Sequence, residues 1–373
     1  MHSALLVFHR WLALVVSVLI LVIALTGSAL VFEGAMDRGL HPALWRVTPR
    51  ETPMSLDTLL SRARAAVSPK APITGITLPP ATDRAVLLQA GATQIFVDPY
   101  TGIVKGTRTI DEWNKTLPRR LHVLHVSLMA SKVGGEVVGV GTIAALVLVL
   151  TGAILWWRDK LWRIRWSASW KRILFDLHHS LGVFAAVILV VIATSGLFIH
   201  YESLNKLMAR MNESPPEPPP HQPKTTGPSQ ISADSFYRVA LAALPGARVM
   251  FLTFPPKPDV PLVAAMRFPE DHTPGGRSRV YVDRFQGSVL TMTSTRRAEL
   301  GTRLSNSIRS IHTGDVFGKP TEAIWLAAAM ILATQGITGF AMWWNGRASR
   351  AALARAAEAR RVSREQGEAA LSS

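Results

Sequence analysis

Four long apolar runs, roughly 11–32, 137–157, 181–201 and 324–344, stand out from a polar background, and none holds a charged side chain. Each is close to the ~20 residues that a spanning helix needs. Backbone groups inside a bilayer must be satisfied internally, so runs this long and continuous predict helices. The first and third runs are copies. HRWLALVVSVLILVIALTG, from His9 to Gly27, returns as HHSLGVFAAVILVVIATSG, from His178 to Gly196, with 18 residues from histidine to glycine in each. At about 100° per residue, 18 steps come back to one helix face about 27 Å along the axis. Two histidines at matched ends of matched helices suggest a shared ligand. The second and fourth runs repeat as well. His125 and His312 each precede a glycine by 27 residues, Gly152 and Gly339, and each run closes on a tryptophan pair, Trp156-Trp157 and Trp343-Trp344.

The polar stretches between the runs repeat too. IFVDPYTGIVKG (95–106) resembles VYVDRFQGSVLT (280–291), with Asp98 and Gly102 matching Asp283 and Gly287. Ser55 and Ser232 each open a capped helix, to about Ala66 and Leu244. Short strands are expected at 73–78, 85–89 and 93–98, and again at 248–254, 260–267 and 279–283. Each insert then reads as a small α+β unit, a helix on an antiparallel sheet. A Pro-rich linker, 212–230, is expected to be extended and mobile. The fold class is membrane α-helical: a four-helix transmembrane bundle built from a tandem repeat, with two small α+β inserts. The chain divides into a first span (1–33), insert 1 (34–120), a second span with its histidine segment (121–157), a basic loop (158–176), a third span (177–201), linker and insert 2 (202–300), a second histidine segment with the fourth span (301–345), and a tail (346–373). That tail reads as a helix or a frayed end after Ala352.

The formal net charge of +16 invites a nucleic-acid partner, but its placement points to membrane lipid instead. Residues 158–172 carry six basic residues and one acidic, and the tail carries six more, among them Arg347, Arg350, Arg355 and Arg360. Short basic segments at span ends mark the cytoplasmic side. Both termini and the 158–172 loop are therefore expected inside, with the inserts outside. The first run could be a cleaved signal peptide, but its mid-chain twin argues that it is retained. With no cysteine, disulfides, iron–sulfur clusters on Cys and covalent haem attachment are excluded. No G-x-G-x-x-G follows a strand, so no flavin or nicotinamide site is expected.

Paired inserts ending in VDPYTG-like turns, alternating with spans that begin on histidine and end in Thr-Gly or Ser-Gly, resemble the PepSY-associated transmembrane family. Within it the chain is similar to the ferric-siderophore reductases of the bacterial inner membrane and related iron-regulated membrane proteins. The resemblance implies haem b in the membrane helices and PepSY domains in the periplasm. The chain departs from the pattern at Ala13, where a glycine is expected, while Gly182 keeps it. His179 stands where an arginine is usual, which leaves the ligand at 178 or 179 open.

A lone histidine at a span end is usually interfacial; four at repeat-equivalent positions are another matter. Neutral imidazole is a good iron ligand, and bundles build cofactor sites from facing helices. Two bis-histidine haems b are expected, one on His9 and His178, the other on His125 and His312. Gly27, Gly152, Gly196 and Gly339 would let a flat porphyrin approach the backbone, or would serve only helix packing. Arg10 joins the cofactor-binding set. His122 and its repeat partner Arg309 are expected near the propionates, while His200 lacks a symmetric partner, and His41, His221 and His272 are expected in solvent. The tryptophan pairs read as an interfacial belt. The helix from His125 to Trp156 would be about 46 Å long if unbroken, so breaks are expected at Gly134-Gly135 and Gly318-Lys-Pro320. The implied function is electron transfer across the inner membrane to a ferric siderophore or other Fe(III) chelate, releasing Fe(II), with a quinol or a separate redox protein as donor. The rivals are a haem conduit to another periplasmic acceptor, and a non-enzymatic PepSY sensor or protease regulator.

Overall fold

The computed structural model describes residues 2–68, 71–160, 162–213, 219–223 and 230–371. The spanning helices are α1 (His2–Leu30), α7 (Ser131–Asp159), α8 (Trp170–His200) and α12 (Lys319–Leu371). Between α1 and α7 come α2 (Glu33–Leu40), α3 (Pro42–Trp45), α4 (Leu56–Arg64), strands β1 (Ile73–Thr77), β2 (Val86–Ala90), β3 (Thr93–Val97) and β4 (Val104–Thr109), then α5 (Ile110–Lys115) and α6 (Leu117–Ser127). Between α8 and α12 come α9 (Glu202–Ala209), α10 (Ala233–Ala243), strands β5 (Arg248–Thr253), β6 (Leu262–Arg267), β7 (Ser278–Val282) and β8 (Val289–Thr293), then α11 (Leu300–Thr313). The chain forms two compact units: Met1–Ser28 with His125–Thr194 and Trp325–Ser373, and Ala29–Leu124 with Ser195–Ile324.

In the first unit all four helices are long and apolar enough to cross a membrane. They meet through small or slim side chains. Ala185 and Leu189 of α8 are buried with Ala328 of α12, and Gly141 of α7 admits Leu19 of α1 where a Cβ would clash. Small residues let helices approach closely where the lipid removes any hydrophobic drive. The opposite faces stay apolar and open: Val15, Val18 and Val187 are each more than 70% exposed. The basic loop is tied down. Asp176, fully buried, accepts from Arg165 Nε at 3.2 Å and pairs with Arg172 Nε at 2.9 Å.

In the second unit the two inserts are not separate sheets. Their eight strands form one antiparallel sheet in the order β4-β3-β2-β1-β5-β6-β7-β8. The two copies join where β1 pairs with β5, Ile76 opposite Leu252. Gly75 permits that pairing, since a Cβ there would sit 2.6 Å from the Phe251 ring. Helices α4 and α10 share one core over the sheet, with Leu59, Phe236, Leu252, Leu262 and Met266 almost fully buried. Each helix is capped twice. Ser55 and Ser232 accept from Thr58 and Ser235 N–H, as expected. Across the pseudo-two-fold, Asp234 accepts from Leu56 and Asp57 N–H at 2.9 and 3.1 Å, and Asp57 accepts from Ala233 and Asp234 N–H at 2.8 and 3.3 Å. The orphan donors of each helix start are thus satisfied by the other copy.

Several expectations need correction. Strands β4 and β8 add to the six expected; they are the sheet edges, with mostly polar or exposed positions. Most of the Pro-rich linker lies outside the described residues, but its described part is anchored: Gln222 is buried and accepts from Arg284 N–H at 3.1 Å. The break before α7 falls at Leu128–Ala130, with positive φ at Leu128, Met129 and Ser131, rather than at Gly134-Gly135. Gly134 serves the break differently, by letting the Ser127 carbonyl pack against its Cα. The break before α12 spans Gly314 to Gly318, both left-handed, close to where it was expected. The tail continues α12 as helix to Leu371.

Candidate functional site

Each of the four repeat-related histidines rests against the hydroxyl-glycine step of a neighbouring span. His9 Nδ1 is 2.8 Å from Thr151 Oγ1, and its Cε1 is 3.4 Å from where a Cβ on Gly152 would lie. His178 Nδ1 is 2.9 Å from Thr338 Oγ1, with Cε1 3.3 Å from the same point at Gly339. His125 Nδ1 is 3.2 Å from Thr26 Oγ1 and 3.0 Å from the Ile23 carbonyl, with Cε1 2.9 Å from a Gly27 Cβ. In the other unit, His312 Nδ1 is 3.4 Å from Ser195 Oγ, with Cε1 2.9 Å from a Gly196 Cβ. The space above each glycine is therefore taken by an imidazole edge. Neither expectation for these glycines, porphyrin approach or bare helix packing, named this neighbour.

The hydroxyl does the orienting. Thr151 Oγ1 lies 2.8 Å from the Val147 carbonyl, and Thr26 Oγ1 lies 2.6 Å from Val22 O. A carbonyl only accepts, so each threonine proton is committed to its own helix. The hydroxyl oxygen then accepts from the imidazole. At His125 the Ile23 carbonyl requires the same tautomer. The proton sits on Nδ1 and Nε2 keeps its lone pair, the state in which a histidine ligates a metal. The sequence places threonine beside glycine but gives no sign that both serve a ring more than 90 residues away.

His178 has one more neighbour. The Gln335 amide lies 3.1 Å from its Nδ1 and 3.0 Å from its carbonyl. Gly182 makes room for it: a Cβ there would stand 3.1 Å from the amide. In the first copy Ala13 and Leu148 occupy the two repeat-equivalent positions. The departure at Ala13 thus accompanies the loss of the glutamine.

His9 and His178 line one cavity of about 450 Å³, within the range of small-molecule sites. Gly152, Gly339, Arg10 and His179 line it too. The Arg10 Nε is buried without a hydrogen-bond partner, an orphan donor that an anionic substituent would satisfy. His179 stacks on Phe175 at 4.0 Å and approaches the Phe175 carbonyl through Nδ1 at 3.2 Å.

The remaining candidates scatter. His122 Nδ1 is 3.7 Å from the Glu33 carboxylate. The Arg309 side chain is exposed. His200 stands edge-on to Tyr201. His272 is exposed and packs against Phe317, while His41 donates to the buried Asp37 rather than standing free in solvent. His125 belongs to the membrane unit and His312 to the other.

No curated protein matches the chain. The family profile described as the PepSY-associated TM region matches residues 6–345, from within α1 to within α12 and across both inserts. The spans, the inserts and the histidine rests all fall within a match of that length, and the chain belongs to the PepSY-associated TM region family.

Proposed function

We propose that this protein carries electrons across the bacterial inner membrane on two haems b and delivers them to an Fe(III) chelate, a ferric siderophore, on the side of the inserts. The observation that carries the reading is the shared cavity of His9 and His178, each anchored through Nδ1 by a threonine hydroxyl. The residues fit the group. His9 and His178 would hold the group through their imidazoles, the Arg10 guanidinium would meet a propionate, and the apolar wall would exclude water. Held there, haem would supply a one-electron couple. His125 and His312 each carry the repeat-equivalent hydroxyl rest within their own unit, which supports a ligand role for each.

The chain's own residues then orient rings and exclude solvent; no acid or base is needed for outer-sphere reduction of Fe(III) to Fe(II). A quinol losing two electrons and two protons would serve two chelates in turn. The basic 158–172 loop and tail favour a cytoplasmic placement. Purified protein should show the visible spectrum of low-spin haem, two per chain by pyridine haemochrome. His9→Ala and His125→Ala should each remove a different one. Pre-reduced protein mixed anaerobically with a ferric hydroxamate and a ferrous trap should reoxidise as ferrous complex appears, and His312→Ala should slow this strongly. Well-folded protein without haem would end the reading. Reduced protein that ignores ferric chelates but reoxidises with another periplasmic acceptor would leave a general electron conduit.

A further inference from the structure

The first insert carries a cleft lined by arginines. Helix α2 contributes Arg38, and the segments 45–47 and 83–85 pair as a short antiparallel bridge, Arg46 opposite Arg84. Side chains opposite each other in such a bridge are neighbours, and like charges there are destabilising unless something neutralises them. These three arginines line a cavity of about 270 Å³ with Trp45, Gly39 and Asp83. Three guanidinium groups face a single carboxylate, and that one is loosely held: Asp83 is 67% exposed, 3.8 Å from Arg84 Nε. The nearby Asp37 is no substitute, because its two oxygens are already committed to Arg108, His41 and Trp45. Burial, then the charge of Arg84, hold the Arg38 guanidinium below its ordinary value against the pull of Asp37 and Asp83. Gly39 is open above its Cα, so nothing fills the cleft from that side. In the second copy the repeat puts Leu207 where Arg38 stands.

We infer that this cleft binds a multiply charged oxyanion, a compact polycarboxylate or a phosphate group, between Arg38, Arg46 and Arg84. The planar guanidinium fork matches carboxylate and phosphate alike. The volume suits an anion the size of citrate rather than a whole hydroxamate chelate. Two sources offer this chemistry: a free polycarboxylate, as in a ferric citrate complex, or the phosphate of an anionic lipid, since α2 starts three residues after α1 ends. The inference stands apart from the haem reading, because it is tested by binding and not by electron transfer.

The test uses full-length protein at low ionic strength. Titration calorimetry with citrate, and separately with inorganic phosphate, should show one site per chain. Arg38→Gln with Arg84→Gln should weaken it at least tenfold, and Arg84→Lys, which keeps the charge but not the fork, by less. Arg238→Gln, an exposed arginine on α10, should leave it unchanged. Equal thermal unfolding of the variants guards against misfolding. If neither anion binds, nanodiscs of phosphatidylglycerol against phosphatidylcholine decide: retention of the anionic lipid that falls in the double variant supports the site with lipid as its source. Binding that ignores the double substitution, or no arginine-dependent binding of anion or lipid, overturns it.

Discussion

The two halves of the chain agree side chain for side chain in some places and diverge in others. They agree at the histidine rests, where His9, Thr151 and Gly152 answer to His178, Thr338 and Gly339. They agree again at the sheet centre, where Asp57 and Asp234 cap each other's helices. They diverge away from these shared places. Among the described residues, the first half has the buried Asp37–Arg108 pair and the arginine cleft, and the second has Gln335 against His178. Matched residues hold the histidine rests and the helix starts, and the unmatched ones add a buried ion pair, a cleft and an amide beside His178. The divergent features are thus the places to look for jobs done once per molecule.

The largest effect should come from the rests themselves, and it should split them into two classes. A Cβ at Gly27 or Gly196 would stand 2.9 Å from an imidazole carbon, closer than real contacts allow. At Gly152 and Gly339 the gap is 3.4 and 3.3 Å, which small shifts absorb. Gly27→Ala and Gly196→Ala should therefore push His125 and His312 out of register and lose about half the haem, on the reading proposed above. Gly152→Ala and Gly339→Ala should keep nearly all of it, with at most a small shift in the spectrum. Haem-to-protein ratios on the four variants check this. Equal loss in all four would mean that porphyrin, not imidazole, fills the space over the glycines.

Next in size is the ion pair that the second half lacks. Asp37 and Arg108 are both buried, 2.7 Å apart, and Arg108 lies between the rings of Phe96 and Trp113. Removing one partner of a buried pair leaves an uncompensated charge and costs about 3–5 kcal/mol. Asp37→Ala also strips acceptors from His41 and Trp45. Hydrogen exchange should speed up in α2, β3 and β4 while β7 and β8 at the far edge stay protected. The repeat places Lys206 and Thr293 at the equivalent positions, and Lys206→Ala, an exposed residue, should change little.

The spans and the matched histidines were legible because a period of 18 or 27 residues survives in the sequence. The hydroxyl's role was not, since nothing local links Thr26 to His125. The α4 and α10 starts were readable from Ser55 and Ser232, whereas the reciprocal aspartate caps join residues 176 or more apart. Joining of the inserts was hidden for the same reason: β1 and β5 look like any buried strands until Ile76 meets Leu252. The outer strands lacked an apolar rhythm because the edges have little to bury. The break before α7 was misplaced because the left-handed residues there are Leu128, Met129 and Ser131, none a glycine.

The smallest effect tests whether the sheet centre is symmetric in energy as well as in shape. Each aspartate satisfies two N–H groups of the opposite helix, and losing such a cap costs about 0.5–2 kcal/mol. Because the two rests mirror each other, Asp57→Ala and Asp234→Ala should lower unfolding stability of the sheet unit by nearly equal amounts. Acid should act in the same direction. Burial pushes the Asp57 carboxyl up, but its contacts with Asp234, with the Ala233 and Asp234 N–H groups and with Ser232 outweigh that and hold it below the ordinary carboxylate value. A carboxyl held lower in the folded state stabilises the fold above its unfolded value, about 3.9 for aspartate, and that contribution fades as pH falls through the folded value. Unfolding of the wild type should therefore become easier as the pH drops below about 4, and Asp57→Asn should flatten the acid limb. If one aspartate carries the whole cost while its mirror carries none, the two copies share a geometry at the seam but not a load, and the pairing of β1 with β5 would then rest on the strands alone.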